Sequence, residues 1–124
     1  MLVQIHTDKN IEGGSRFSEY FSAEIKEQLA RFNEIVTRIE VHVTDQNGSK
    51  TSPNDKKCVI EARIEKKQPI AVTAHGDTAE KAFFEALEKV QRVLESTVEK
   101  IKAHEAFLKI RNPISFKANR VFLL

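Results

Sequence analysis

Two periods of hydrophobic and polar residues divide the chain into strands and helices. A short apolar-rich run at residues 2–6 predicts a first strand. Apolar residues then recur at spacings of three and four, which predicts a helix with one apolar stripe. The stripe consists of Phe17, Phe21, Ile25, Leu29 and Phe32. A turn at residues 10–15 precedes this helix, and we expect Ser15 to cap it.

From Thr37 onward the period changes to two, which is the side-chain period of a strand with one buried face. Ile39, Val41 and Val43 alternate with polar residues, and the same alternation returns over residues 58–65 and 70–75. Between the first two of these strands, residues 45–55 are rich in turn formers and lack large apolar side chains. They predict a solvated hairpin loop.

A second, longer helix is predicted after Gly76. The sequence DTAE at residues 77–80 has the pattern of a capping box, in which Asp77 and Glu80 would satisfy free backbone donors. The apolar stripe that follows continues to about Ala103, a length of about 39 Å. Residues 104–124 include Pro113 and show no clean period.

The predicted order of elements is β-α-β-β-β-α, which defines an α+β fold. Two helices with one apolar stripe each need one covered sheet face, so we expect a four-stranded sheet with two helices packed on one face and the other face open. The first strand, helix and second strand predict a parallel crossover. We expect residues 1–103 to form one domain and residues 104–124 a C-terminal tail.

Charge and cysteine content narrow the class of protein. The whole chain has a net charge of +2, but residues 1–103 carry 16 basic and 17 acidic side chains. Nucleic-acid binders usually carry a basic excess, so any contact with RNA must depend on a local patch and the tail. A single cysteine, no secretory signal and no apolar run long enough for a membrane span favour a cytoplasmic protein.

The sequence offers no catalytic signature. Phosphate-binding glycine loops and the nucleophile elbow are absent. Cys58 alternates with core positions, which indicates a buried structural thiol rather than a nucleophile. We therefore expect a protein that is not an enzyme, with no cofactor, no small-molecule substrate and no membrane partner.

Histidines on the predicted open face suggest a metal site that we weigh and set aside. His6, His42 and His75 are expected to face outward with Glu40 and Glu61, and imidazoles and carboxylates are zinc ligands. Adjacent strands are about 4.8 Å apart, however, and ligands must lie within about 2 Å of one point. The expectation is a polar surface without a metal.

Several stretches, in this order and spacing, resemble the ribosome hibernation promoting factor and ribosome-associated inhibitor family, also called sigma-modulation proteins. They are QIHTDKNIEG (4–13), QLARF (28–32), RIEVHVTD (38–45), CVIEARI (58–64) and KVQRVL (89–94). The resemblance covers about residues 1–103. It implies a non-enzymatic factor that binds the small ribosomal subunit along its rRNA and holds the ribosome inactive under stress. It also implies the short form, because the 21 residues after 103 are fewer than the dimerisation domain of the long forms.

The resemblance also suggests which residues contact RNA. Arg31 corresponds to a basic position before the aromatic that closes the first helix, and Lys89 and Arg92 correspond to a basic pair on the second helix. A spacing of three puts this pair on one helical face, where it can grip adjacent phosphates. On the open sheet face, Arg63, His42 and His75 complete the predicted RNA-binding set together with Lys100.

The sequence departs from the family pattern at two positions, and one alternative function remains open. Gln28 and Ser96 stand where the family often has basic residues, and Lys100 could compensate for Ser96. The charged residues of the second helix have mixed signs, which is also typical of a solvated helix face. The alternative is a protein–protein interaction module, an adaptor or homodimer without RNA affinity, that associates through its apolar tail.

Overall fold

A computed structural model describes residues 1–8, 11, 14–46 and 55–111, with side chains as far as residue 108. It contains four strands, two α-helices and one 3-10 turn. Along the chain these are β1 (Leu2–Thr7), α1 (Gly14–Gln28), the 3-10 turn Ala30–Phe32, β2 (Val36–Asp45), β3 (Lys56–Ile64), β4 (Ile70–Gly76) and α2 (Ala79–Arg111). The predicted α+β order β-α-β-β-β-α is confirmed.

The four strands form one mixed sheet in the order β1-β2-β3-β4. β1 and β2 are parallel, as the crossover through α1 predicts, and the two later pairs are antiparallel. β1 and β4 are therefore the two edges of the sheet. Register partners lie on the same face, so His6 of β1, His42 of β2 and Val59 of β3 share one row across the open face.

The other face of the sheet is covered by apolar side chains of both helices. Ile39, Val41 and Val43 of β2 are fully buried, as are most of the predicted inward residues of β3. From α1 and the turn after it, Phe21, Ile25, Leu29 and Phe32 are buried, and from α2 Ala82, Phe83, Ala86 and Val90. The rings of Phe21 and Phe83 stack with centroids 3.9 Å apart, which joins the two helices at the centre of the core.

Both predicted helix starts are wrong in their detail. α1 already begins at Gly14, which has a positive φ of +49°, so Ser15 lies inside the helix. At the start of α2 the cap is Thr78, whose Oγ1 accepts a hydrogen bond from the backbone N–H of Lys81 at 3.1 Å. Asp77 instead pairs through its carboxylate with Nζ of Lys81, at 3.1 Å. The N-cap residue is therefore Thr78, one residue after Asp77, to which the capping motif had assigned that position.

The predicted hairpin between β2 and β3 is confirmed at its base. The backbone N–H of Gln46 donates to the carbonyl of Asp55 at 2.9 Å, and residues 47–54 of the loop lie outside the described part. Lys56 bridges the two ends, with Nζ 3.4 Å from Asp45 and 2.8 Å from the buried Asp55. Hydrogen bonding to Asp55 is the main reason that the pKa of Lys56 is raised. The ammonium thus compensates a buried carboxylate.

α2 extends eight residues beyond the predicted end near Ala103, as far as Arg111. Residues 104–111 contain good helix formers, which is consistent with this extension. The proposed division at residue 103 therefore falls inside a helix. The chain forms two compact units, Met1–Arg92 and Val93–Leu124, and residues 112–124 of the predicted tail lie outside the described part.

Candidate nucleic-acid interface

Two of the predicted RNA-binding residues lie on exposed turns of α2 within the first unit, and both have local partners. Nζ of Lys89 donates to the backbone carbonyl of Thr73 in β4 at 2.8 Å. The guanidinium of Arg92 forms an ion pair with Glu88, one turn earlier on the helix. These partners are exposed, so each contact is weak and either cation can bind an anion instead.

Arg31 lies in the 3-10 turn after α1, and its guanidinium is 4.6 Å from the ring centroid of Phe32. This cation–π contact holds the charge over a buried ring. Gln91 of α2 donates a 3.4 Å hydrogen bond to the carbonyl of Gln28 at the end of α1. The end of α1 and the turn of α2 before Arg92 are therefore neighbours.

Gln28, one of the two departures from the family pattern, is exposed and contributes its backbone rather than its side chain to this contact. The other departure, Ser96, lies in the second unit together with Lys100, and both side chains are exposed. Within that unit the hydroxyl of Thr97 donates to the carbonyl of Val93 at 2.9 Å. Two large apolar side chains, Phe107 and Leu108, are about half exposed there.

The remaining three predicted residues lie on the open face of the sheet but in different rows. Arg63 is exposed on β3 and pairs in register with Arg38 of β2. His75 on the edge strand β4 is in register with Lys57, whereas His42 is in a different row on β2. The structure thus confirms that these residues face outward, and it separates His75 from the other histidines.

Glu40 is the centre of a tight group with His6 and His42, two of the histidines that the sequence predicted to face outward. Oε1 of Glu40 lies 3.6 Å from Nε2 of His6 and 3.7 Å from Nε2 of His42. Oε2 of the same carboxylate pairs with Nε of Arg38 at 3.0 Å, and Arg38 also donates to the side-chain carbonyl of Gln4 at 2.8 Å. Alternation within β2 was a signal that Arg38, Glu40 and His42 share a face. The parallel register that adds His6 required the structure.

Cys58 is buried in β3, as predicted, and burial raises the pKa of its thiol to about 12. A thiol that stays protonated at neutral pH is a poor nucleophile. The prediction of a structural thiol is therefore supported, and this side chain adds nothing to a site on the open face.

Comparison with known proteins decides the family. The model of the family described as sigma 54 modulation protein / S30EA ribosomal protein matches residues 3–102. This chain belongs to that family. The match covers α1 and β2 to β4 in full, β1 from its second residue and α2 as far as residue 102, and it confirms the family suggested by the sequence stretches quoted above.

Two solved structures share the fold of this family member. The Protein Y N-terminal domain of Thermus thermophilus superposes with a TM-score of 0.60 at 10% identity, covering 78% of this chain and 99% of that one. A ribosomal subunit interface protein of Coxiella burnetii gives a TM-score of 0.58 at 11% identity, covering 80% and 99%. No curated protein matches the chain. At such low identity these likenesses establish the fold alone.

The family consists of ribosome-associated modulation proteins and is not known as a family of enzymes. In the part of the chain that the structure describes, neither helix combines the length and the apolar composition that a membrane span requires. The functional question for this family member is therefore which of its surfaces makes contact with a partner.

Proposed function

We propose that this protein binds the small ribosomal subunit in the cytoplasm, through phosphates of its rRNA, and holds the ribosome inactive. The observation that carries the proposal is the family match over residues 3–102, together with exposed cations on α2 and on the turn after α1. Arg31, Lys89 and Arg92 would make the phosphate contacts, with Lys100 as a further cation from the second unit. The protein acts by occupying the subunit and carries out no reaction.

The local partners of these cations do not prevent phosphate binding. An exposed ion pair such as Arg92 with Glu88 contributes only about 0–1 kcal/mol, because water screens it and both side chains lose freedom. A phosphate that offers charge-assisted hydrogen bonds can replace it, because hydrogen bonds to charged groups contribute about 1.5–3 kcal/mol. The bond from Lys89 to a backbone carbonyl is exchanged in the same way, and the helix is not disturbed.

The open sheet face supports a secondary contact. Arg38, Arg63 and Lys57 project from it against Glu40 and Glu61, so its fixed charges have a small positive excess. The imidazoles of His42 and His75 add hydrogen-bonding groups to the same face. We assign Arg63, His42 and His75 a secondary role in attracting and holding RNA. The main phosphate contacts are those proposed for the cations of α2 and of the turn after α1.

The Glu88 carboxylate competes with phosphate for Arg92, and this leads to a prediction. Glu88→Gln keeps the size of the side chain and removes the charge that pairs with Arg92. We expect affinity for purified small subunits to rise about 2–5-fold, since an exposed pair of this kind contributes up to about 1 kcal/mol. Fluorescence anisotropy of labelled protein titrated with subunits measures the change.

The matched control for this variant is Glu19→Gln, which removes the same charge from an exposed position on α1 beside β1. We expect its affinity to equal that of the wild type. Equal increases in the two variants would mean that only the net charge matters, and Arg92 would then lose its assigned role.

Salt dependence tests the proposed function itself. Each phosphate contact contributes about −0.7 to −0.9 to the slope of log affinity against log salt concentration. Three contacts predict that the affinity for purified small subunits falls about 20–40-fold between 50 and 200 mM salt. Affinity that does not change with salt would contradict phosphate binding.

Fractionation of cell lysate on a density gradient separates this proposal from its rival. Ribosome binding predicts that the protein sediments with small subunits. A protein that stayed in the light fractions would instead support an interaction module without RNA affinity, acting as an adaptor or homodimer through residues 104–124. The half-exposed Phe107 and Leu108 are the apolar side chains that such a contact would cover.

A further inference from the structure

We propose that His6, Glu40 and His42 form a binding site for a divalent transition metal of the zinc type on the open sheet face. One ligand atom from each side chain lies within 4.8 Å of the other two. Two imidazoles and one carboxylate, with a water in the fourth position, are a ligand set that zinc accepts. The proposal does not depend on the ribosomal function.

The distances within the cluster fit a common metal better than they fit direct hydrogen bonds. Oε1 of Glu40 lies 3.6 Å from Nε2 of His6 and 3.7 Å from Nε2 of His42, which is beyond hydrogen-bond length. Zinc bonds of about 2.0–2.1 Å in a tetrahedral site place ligand atoms about 3.3–3.4 Å apart. The two distances from Glu40 are therefore within a few tenths of an ångström of those that one shared ion requires, whereas the two imidazoles must also approach each other.

Strand geometry explains why three ligands converge here. Glu40 and His42 are two residues apart on β2, so they project from the same face. His6 is the parallel register partner of His42. The strand spacing of about 4.8 Å separates backbones and not ligand atoms. The side chains lean toward each other, so that their nitrogen and oxygen atoms approach more closely than the strand spacing suggests.

Neighbouring charges orient the carboxylate and balance the ion. Arg38 pairs with Oε2 of Glu40 and leaves Oε1 directed at the imidazoles, which is the role of an outer-shell partner in metal sites. Arg38 also adds positive charge, which weakens cation binding. Glu61 opposes this effect, because its Oε1 lies 3.7 Å from Nε2 of His42 and supplies a second negative charge.

Metal binding requires one ring to turn. The imidazoles of His6 and His42 are stacked with centroids 4.7 Å apart and planes 14° from parallel, so their nitrogen lone pairs are nearly parallel. A metal lies in the plane of each imidazole that binds it, and the His6 ring must therefore leave the stack. Its side chain is 51% exposed on an edge strand, where such a rotation meets little resistance.

Titration calorimetry of the untagged full chain with Zn²⁺ tests the site. We expect one ion per chain in the wild type, and an affinity lowered about tenfold or more in His42→Gln and in Glu40→Gln. His75→Gln is the matched control, because His75 faces the same side in another row of the sheet. Its zinc affinity should equal that of the wild type. Mg²⁺, which prefers oxygen ligands, should not compete.

Histidine NMR signals of the wild type provide a test that needs no variant. Substoichiometric Zn²⁺ should shift the ring signals of His6 and His42 and leave those of His75 and His104 in place. Cys58 does not compete, because its buried thiol stays protonated. The proposal is overturned if the wild type does not bind zinc, if His75→Gln loses as much affinity as His42→Gln, or if other histidines respond first.

Discussion

The double variant Lys89→Glu with Arg92→Glu is expected to lose co-sedimentation with small ribosomal subunits, with affinity reduced about 100-fold or more. Each reversal removes a charge-assisted bond of about 1.5–3 kcal/mol to phosphate and adds repulsion. Both side chains are exposed, and their present partners are a backbone carbonyl and Glu88. The fold should therefore survive. Co-sedimentation and the salt slope of the residual binding measure the effect.

The control for this experiment carries the same change in charge at another place. Lys66→Glu with Lys67→Glu reverses two exposed lysines in the turn between β3 and β4. We expect it to bind several-fold more weakly than the wild type through long-range repulsion, but still to co-sediment. Equal losses of affinity in the two double variants would contradict the assignment of the phosphate contacts to Lys89 and Arg92 on α2. Normal co-sedimentation of the variant with Lys89→Glu and Arg92→Glu would contradict it as well.

Phe83→Ala is expected to lower the free energy of unfolding by about 3–5 kcal/mol, which is a large share of the stability of a domain of this size. The ring is fully buried and stacks on Phe21 with centroids 3.9 Å apart, so its removal leaves a cavity between α1 and α2. Urea denaturation followed by far-ultraviolet circular dichroism gives the difference. Ribosome binding should fall with the folded fraction.

The neighbouring ring provides the control for this second prediction. Phe84 is only half-buried and meets Phe83 edge-on, with centroids 5.1 Å apart. Phe84→Ala should cost less than half as much, because part of its surface is already in contact with water. Equal losses in the two variants, or a loss below about 1 kcal/mol in Phe83→Ala, would contradict the assignment of this stack as the centre of the core.

The sequence alone determined the order of the elements and which face of each one is buried. Alternation with period two in β2 and β3 predicted the inward residues, because consecutive side chains of a strand point to opposite sides. The stripe from Phe21 to Phe32 predicted the buried side of α1 for the corresponding helical reason. These patterns are local, so a single stretch of chain contains all the information that they need. The family resemblance was likewise visible in short stretches.

Details that depend on side-chain directions or on the ends of helices were decided only by the tertiary structure. The capping pattern did not distinguish Thr78 from Asp77, because either oxygen can accept a backbone hydrogen bond. The stack of His6 on His42 needs a parallel register between strands that are 36 residues apart, and no local period encodes it. The local sequence pattern determines which side chains are buried. Which polar atoms come into contact depends instead on strand register and side-chain rotamers, and residues distant in the sequence set both.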